Sequence, residues 1–130
     1  MERRRPRLAI IFATAITFVQ LAVACGGESG SEPSGARPNP DGTLTVAHRN
    51  YAFEPKRLSF NVGETVTFQL KSVDDVHTFT VKELDVNWVV PSGPDSQSQT
   101  FTFDRAGTFR LICVIPGHEG LGMVGTIEVR

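Results

Sequence analysis

At 130 residues, 40% of them hydrophobic, the chain has room for one domain with an export leader but not for two domains. Its formal charge of −1 conceals a split: residues 1–24 hold four arginines and one glutamate, and the remainder carries nine basic against thirteen acidic residues, a net −4. An acidic domain lacks the basic face that nucleic acid binding needs, so that class of partner is set aside.

Residues 1–24 read as a secretory signal peptide. Arg3, Arg4, Arg5 and Arg7 form a basic head, and an apolar run from Leu8 to Ala24 ends in small residues just before Cys25. Ala22-Val23-Ala24-Cys25 resembles the lipobox of bacterial lipoproteins, with Ala22 where leucine is usual, which makes Cys25 the expected lipidation site and new N-terminus. An uncleaved anchor is the other reading, since the 17 residues Leu8–Ala24 reach the short edge of the roughly 17–25 that span a bilayer. Both readings place the rest outside the cytoplasm, in the periplasm or on the outer face of the cell membrane, and attach it to a membrane.

Residues 25–42 are expected to form a flexible linker. Gly, Ser, Pro and Glu dominate the stretch GGESGSEPSGARPNPDG, which has too little apolar surface to offset its ordering entropy.

From Thr43 the pattern alternates with period two, and residues 43–130 are expected to form the folded domain. Leu44 and Val46 come first; Leu58, Phe60 and Val62 share a face ahead of the Gly63-Glu64 turn; Val66, Phe68 and Leu70 follow. His77, Phe79 and Val81 alternate with threonines, as do Phe101 and Phe103; Phe109, Leu111 and Cys113 share a face, and so do Ile127 and Val129. Alternation of this kind, rich in β-branched and aromatic residues and punctuated by turns, describes half-buried strands. No helical period with caps is found. Seven or so short strands predict an all-β, antiparallel Greek-key β-sandwich.

The chemistry concentrates in Cys113-Val-Ile-Pro-Gly-His118-Glu-Gly-Leu-Gly-Met123, a C-x4-H-x4-M spacing between two strand patterns. A thiolate, an imidazole and a thioether are soft to borderline donors, and two His and one Cys with a weak axial Met is the blue-copper set. His77 opens a strand after the Asp74-Asp75 turn, so it can supply the second imidazole from the same end of the sandwich. A lone thiol in an oxidising compartment is liable to oxidation, and a metal bond gives Cys113 a reason to persist. His48, in phase with Leu44 and Val46, reads as structural.

At these residues the chain resembles the cupredoxins, the plastocyanin/azurin-like small blue-copper proteins, over 43–130. The likeness runs through Tyr51-Ala-Phe53-Glu-Pro55, Val62-Gly63-Glu64-Thr65-Val66, His77-Thr-Phe79, Ala106-Gly107-Thr108-Phe109 and Gly122-Met123-Val-Gly125. The two gaps of four are similar to those of rusticyanin and auracyanin. The resemblance implies one type 1 copper cycling between Cu(I) and Cu(II), with His77, Cys113 and His118 as equatorial ligands and Met123 as axial ligand. It also implies that Thr78 offers its backbone N–H to the Cys113 sulfur, and that an apolar ring of Ile115, Pro116, Leu121 and Val124 about His118 passes electrons to partners. A c-type cytochrome or a terminal oxidase would fit as partner, and a photosynthetic complex would too. The Trp88-Val89-Val90-Pro91 stretch reads as core packing, and Asp74, Asp75, Glu83, Asp85 and Glu119 read as scattered surface charge or as a steering field for a basic partner.

An enzyme is not expected, because three histidines cannot build a further metal centre once two are assigned. The segment also resembles the binuclear copper domain of cytochrome oxidase subunit II, but that centre needs a second cysteine where Gly117 stands. The expected function is single-electron carriage by a monomer; an extracytoplasmic copper carrier or buffer is the alternative.

Overall fold

A computed structural model describes residues 35–130. The expected signal peptide, the expected lipidation site at Cys25 and the first part of the expected linker lie outside the described residues. No helix among the described residues is long and apolar enough to cross a membrane.

Among the described residues the alternating segments become nine strands: β1 Thr43–Arg49, β2 Ala52–Glu54, β3 Arg57–Phe60, β4 Thr65–Ser72, β5 His77–Val81, β6 Val86–Val90, β7 Gln97–Thr102, β8 Gly107–Ile112 and β9 Val124–Val129. A 3-10 turn at Lys82–Leu84 joins β5 to β6. One sheet has the order β2-β1-β4-β7, the other β3-β9-β8-β5-β6. In β4 the apolar residues all point inward while the threonines between them stay outside, which is what period-two alternation predicts. Those outer threonines pair across to β7, with Thr65 and Thr102 hydroxyls 2.8 Å apart.

The sandwich differs from a purely antiparallel one in two places. β1 runs parallel to β4, and β3 runs parallel to β9, so both sheets are mixed. Side-chain periodicity records which face is buried and carries no information on the direction of the partner strand. Val62 is a smaller departure: β3 ends at Phe60, and Val62 lies exposed in the turn that follows.

Residues 35–42, inside the expected 25–42 linker, are structured. Ala36 bridges Leu58, donating to Arg57 O at 2.8 Å and accepting from Ser59 N–H at 2.9 Å. Asp41 accepts both the hydroxyl and the backbone N–H of Thr43, which hold its carboxyl below the usual range. Backbone pairing needs no apolar side chains, so a composition argument does not register it.

The core is aromatic. Phe60 stacks on Phe103 at 4.3 Å, Phe68 touches Phe60, Phe79 and Phe103, and Trp88 lies over Phe79 at 5.4 Å with its ring nearly parallel. Trp88 and Val90 therefore belong to the core, as expected, while Val89 is exposed. β5 is buried along its whole length, including Thr78 and Thr80 on the face expected to be wet. Their hydroxyls lie 2.9 Å apart; that of Thr78 accepts the Val114 N–H at 2.9 Å, and that of Thr80 bonds Asn87 at 2.7 Å. Buried hydroxyls with partners cost little, and these tie β5 to the segment after β8.

Gly125 in β9 sets how closely β9 approaches the residues before β3. A Cβ there would stand 2.7 Å from Lys56 O, the carbonyl that accepts the Thr126 N–H at 3.0 Å. Gly125→Ala is expected to destabilise the protein by about 1–3 kcal/mol through overpacking, read as a lowered midpoint in thermal denaturation.

Candidate metal centre

Three elements deliver the site. β5 presents His77 at its first residue, β8 runs straight into Cys113, and the loop from Cys113 to Met123 carries His118 before β9 begins. β8 lies beside β5, with Thr80 opposite Ile112, so their ends bring residues 77 and 113 together from 36 positions apart.

The loop is folded on its own backbone. His118 N–H donates to Ile115 O at 3.1 Å and Met123 N–H to His118 O at 3.0 Å, while Cys113 N–H reaches Met123 O at 3.3 Å, closing the loop at its base. Gly122 has φ of +99°, a left-handed conformation that side chains rarely adopt, so the turn ahead of Met123 requires glycine. Outside, Arg110 holds Glu119 at 2.6 Å beside His118; both side chains are exposed, so the pair contributes little to stability.

Inside, Nδ1 of His77 and Nδ1 of His118 lie 3.2 Å apart, and Cys113 Sγ is 3.6 Å from His118 Nδ1 and 3.9 Å from His77 Nδ1. All three residues are buried. Around a tetrahedral ion, at the bond lengths of about 2.0–2.1 Å (nitrogen) and 2.3 Å (sulfur) known for zinc, two nitrogens sit roughly 3.3 Å apart and a nitrogen and a sulfur roughly 3.6 Å. The three donors therefore already have the spacing of a metal's ligands. The thiolate favours copper over harder ions. Met123 is fully buried, and its backbone is bonded to both His118 and Cys113. The Thr78 N–H donates to Cys113 Sγ at 3.4 Å, as the resemblance implied.

Other residues arrive that sequence reasoning did not assign to the site. Asp74, read as surface charge, places Oδ1 3.1 Å from His77 Nε2. Partial burial raises its pKa, but bonds from Asn50 N–H, His77, Asp75 N–H and the Ser72 hydroxyl outweigh that and bring it down to about 2. Its position three residues before a histidine, in a turn, was the available signal. Tyr51 sets its ring edge-on to His118 at 4.9 Å. Of the expected apolar ring, Pro116 and Leu121 are exposed, whereas Ile115 packs partly against the core and Val124 is half-buried in β9. Val114 joins the exposed apolar residues of the loop.

His48 stays out of the cluster. It is fully buried, with Nδ1 3.2 Å from Val46 O, its ring edge-on to Phe53 and 6.2 Å from the His77 ring. Burial, reinforced by repulsion from His77, lowers its pKa to about 4, so it is neutral at neutral pH. The structural reading of His48 stands.

Residues 40–130 match the family described as copper binding proteins, plastocyanin/azurin family. No curated protein is matched by the sequence. Among solved structures, the chain is similar to auracyanin from the photosynthetic bacterium Roseiflexus castenholzii, with 21% identity and a TM-score of 0.57 over 68% of this chain and 97% of that one. It is also similar to a chain of a heme-copper terminal oxidase dimer, with 21% identity and a TM-score of 0.59 over 70% of this chain and 66% of that one, just under two thirds of the oxidase chain. A third likeness is to the periplasmic domain of subunit II of cytochrome oxidase from Bradyrhizobium japonicum, with 16% identity and a TM-score of 0.58 over 72% and 86%. At these identities the likenesses establish a common fold and nothing further.

Proposed function

Because the chain belongs to the plastocyanin/azurin family of copper-binding proteins and its cofactor is one type 1 copper ion, we propose that it is a mononuclear electron carrier working between extracytoplasmic redox partners. The observation that carries this reading is the buried convergence of His77, Cys113 and His118 on one point. These three would hold the copper, with Met123 as a fourth and weaker donor. Copper bound there supplies a Cu(I)/Cu(II) couple that passes one electron at a time.

The protein's own part is to hold the donors still. His77 opens β5, Cys113 directly follows β8 beside it in the same sheet, and His118 comes from a loop closed by backbone bonds, so little rearrangement would accompany a change of oxidation state. The Thr78 N–H withdraws charge from the thiolate. His118, 7% exposed and with its ring edged by Tyr51, is the proposed point of electron entry and exit. Cys113 is the only cysteine among the described residues, which favours one copper over a bridged pair. A c-type cytochrome or a terminal oxidase is the proposed partner, and the leader with its lipobox-like Cys25 is the proposed means of export and membrane attachment. No catalytic role is assigned.

With Cu(II), the protein is expected to show an intense thiolate-to-copper absorption and reversible one-electron voltammetry. A colourless complex that yields its metal readily to a chelator would instead identify a carrier or buffer. Met123→Leu should keep the colour and raise the reduction potential, because losing the thioether removes a donor that favours Cu(II). An unchanged or lowered potential would remove Met123 from the ligand set.

A further inference from the structure

We propose that Asp74 is a positioning residue that clamps both imidazoles of the site, His77 directly and His118 through the Asn50-Tyr51 turn. The inference rests on the copper reading above. Asp74 lies in the turn between β4 and β5, and its two oxygens face different ways. Oδ1 meets His77 Nε2 at 3.1 Å, the Asp75 N–H at 2.8 Å and the Ser72 hydroxyl at 3.3 Å. Oδ2 accepts the Asn50 N–H at 2.8 Å, from the turn between β1 and β2 and 24 residues away in sequence. The next residue, Tyr51, lays its ring across the edge of His118 at an interplanar angle of 74°.

The chemistry of the first contact is directional. A carboxylate only accepts, so Nε2 carries the proton in this contact, and it is Nδ1 that, in the neutral ring, keeps a lone pair toward Cys113 Sγ and His118 Nδ1. A carboxylate behind a ligating histidine fixes the tautomer and the ring angle and strengthens the donor. The second contact anchors the turn that carries Tyr51, and the Tyr51 ring limits how far His118 can swing. One side chain thus joins the β4–β5 and β1–β2 turns, which sequence leaves unrelated. The Asp75 carboxylate plays no part in the clamp, because its Oδ1 accepts the Val76 N–H at 2.7 Å.

The test uses the full chain, with and without copper. In the copper-free, 15N-labelled protein, ring-nitrogen shifts should show His77 carrying its proton on Nε2. Asp74→Ala should lose that preference, and Asp74→Asn, whose amide oxygen still accepts, should retain it. In competition with a Cu(I) chelator, Asp74→Ala should bind copper about 10–100-fold more weakly, and Asp74→Asn should lose less. Tyr51→Ala should weaken binding by a smaller factor and leave the His77 ring shifts unchanged. An Asp74→Ala protein that keeps the Nε2 proton, or that binds copper within about two-fold of the parent, overturns the clamp. Failure of the copper reading would look different, because the parent itself would take up no copper. The ring-nitrogen measurement would still decide the clamp. Asp74→Asn, nearly identical in shape, guards against a folding defect in the alanine variant.

Discussion

Cys113→Ser is expected to extinguish the colour of the copper-loaded protein while leaving the sandwich folded. The band arises from charge transfer out of a thiolate, and a serine hydroxyl has neither the polarisable lone pairs nor the acidity to replace it. The substitution changes a single buried atom and touches none of the backbone bonds, so the Thr78–Val114 bond and the loop bonds at Met123 and His118 should persist. The Thr78 N–H, which now meets a large sulfur at 3.4 Å, would face a smaller atom on a shorter bond and lose contact. Copper affinity should fall by more than the roughly 10–100-fold that removal of an outer-shell partner costs. Visible absorption during Cu(II) titration gives the answer. A persisting band would show that another residue supplies the donor.

The second large effect is structural. Phe68→Ala should destabilise the copper-free protein by about 3–5 kcal/mol, out of a total stability of about 5–15 kcal/mol for a domain of this kind. Phe68 is fully buried at the centre of the aromatic cluster, in ring contact with Phe60, Phe79, Trp88 and Phe103. Those neighbours come from β3, β5, β6 and the residue after β7, so the cavity would lie between both sheets and could not close by moving one side chain. Phe79 is two residues from His77 on β5, so the same deletion should loosen the strand that carries a proposed ligand. Urea denaturation in the presence of a chelator measures the loss without the contribution of bound metal. A change below about 1 kcal/mol would mean that the surrounding rings collapse into the gap.

Much of the site was legible because its spacing is local. Cys113, His118 and Met123 fall within eleven residues, between two strand patterns, and a closed loop of that length confines their donors to a small volume. His77 was reachable only as a residue at the correct end of a strand; its distance to Cys113 follows from the alignment of β5 with β8. Asp74 does lie at the surface, as an Asp-Asp turn implies, but its role is not legible there because only the folded chain brings a histidine nitrogen and the Asn50 amide to its two oxygens. Tyr51 was part of a resemblance, with no reason attached to its ring.

The amino-acid sequence by itself determined the buried face of most strands, β5 excepted, which residues bring sulfur and nitrogen donors, and that those donors form a soft set with a single cysteine. These follow from side-chain chemistry and from period-two geometry, both readable a few residues at a time. Only the tertiary structure decided that β1 and β4 and β3 and β9 run parallel, that residues 35–42 join the sandwich, and that Asp74 and Tyr51 stand behind the two imidazoles. All but the Asp74–His77 contact join segments far apart in the chain. Such contacts depend on how the two sheets pack and on where the backbone finds its hydrogen-bond partners, which no local pattern of residues specifies.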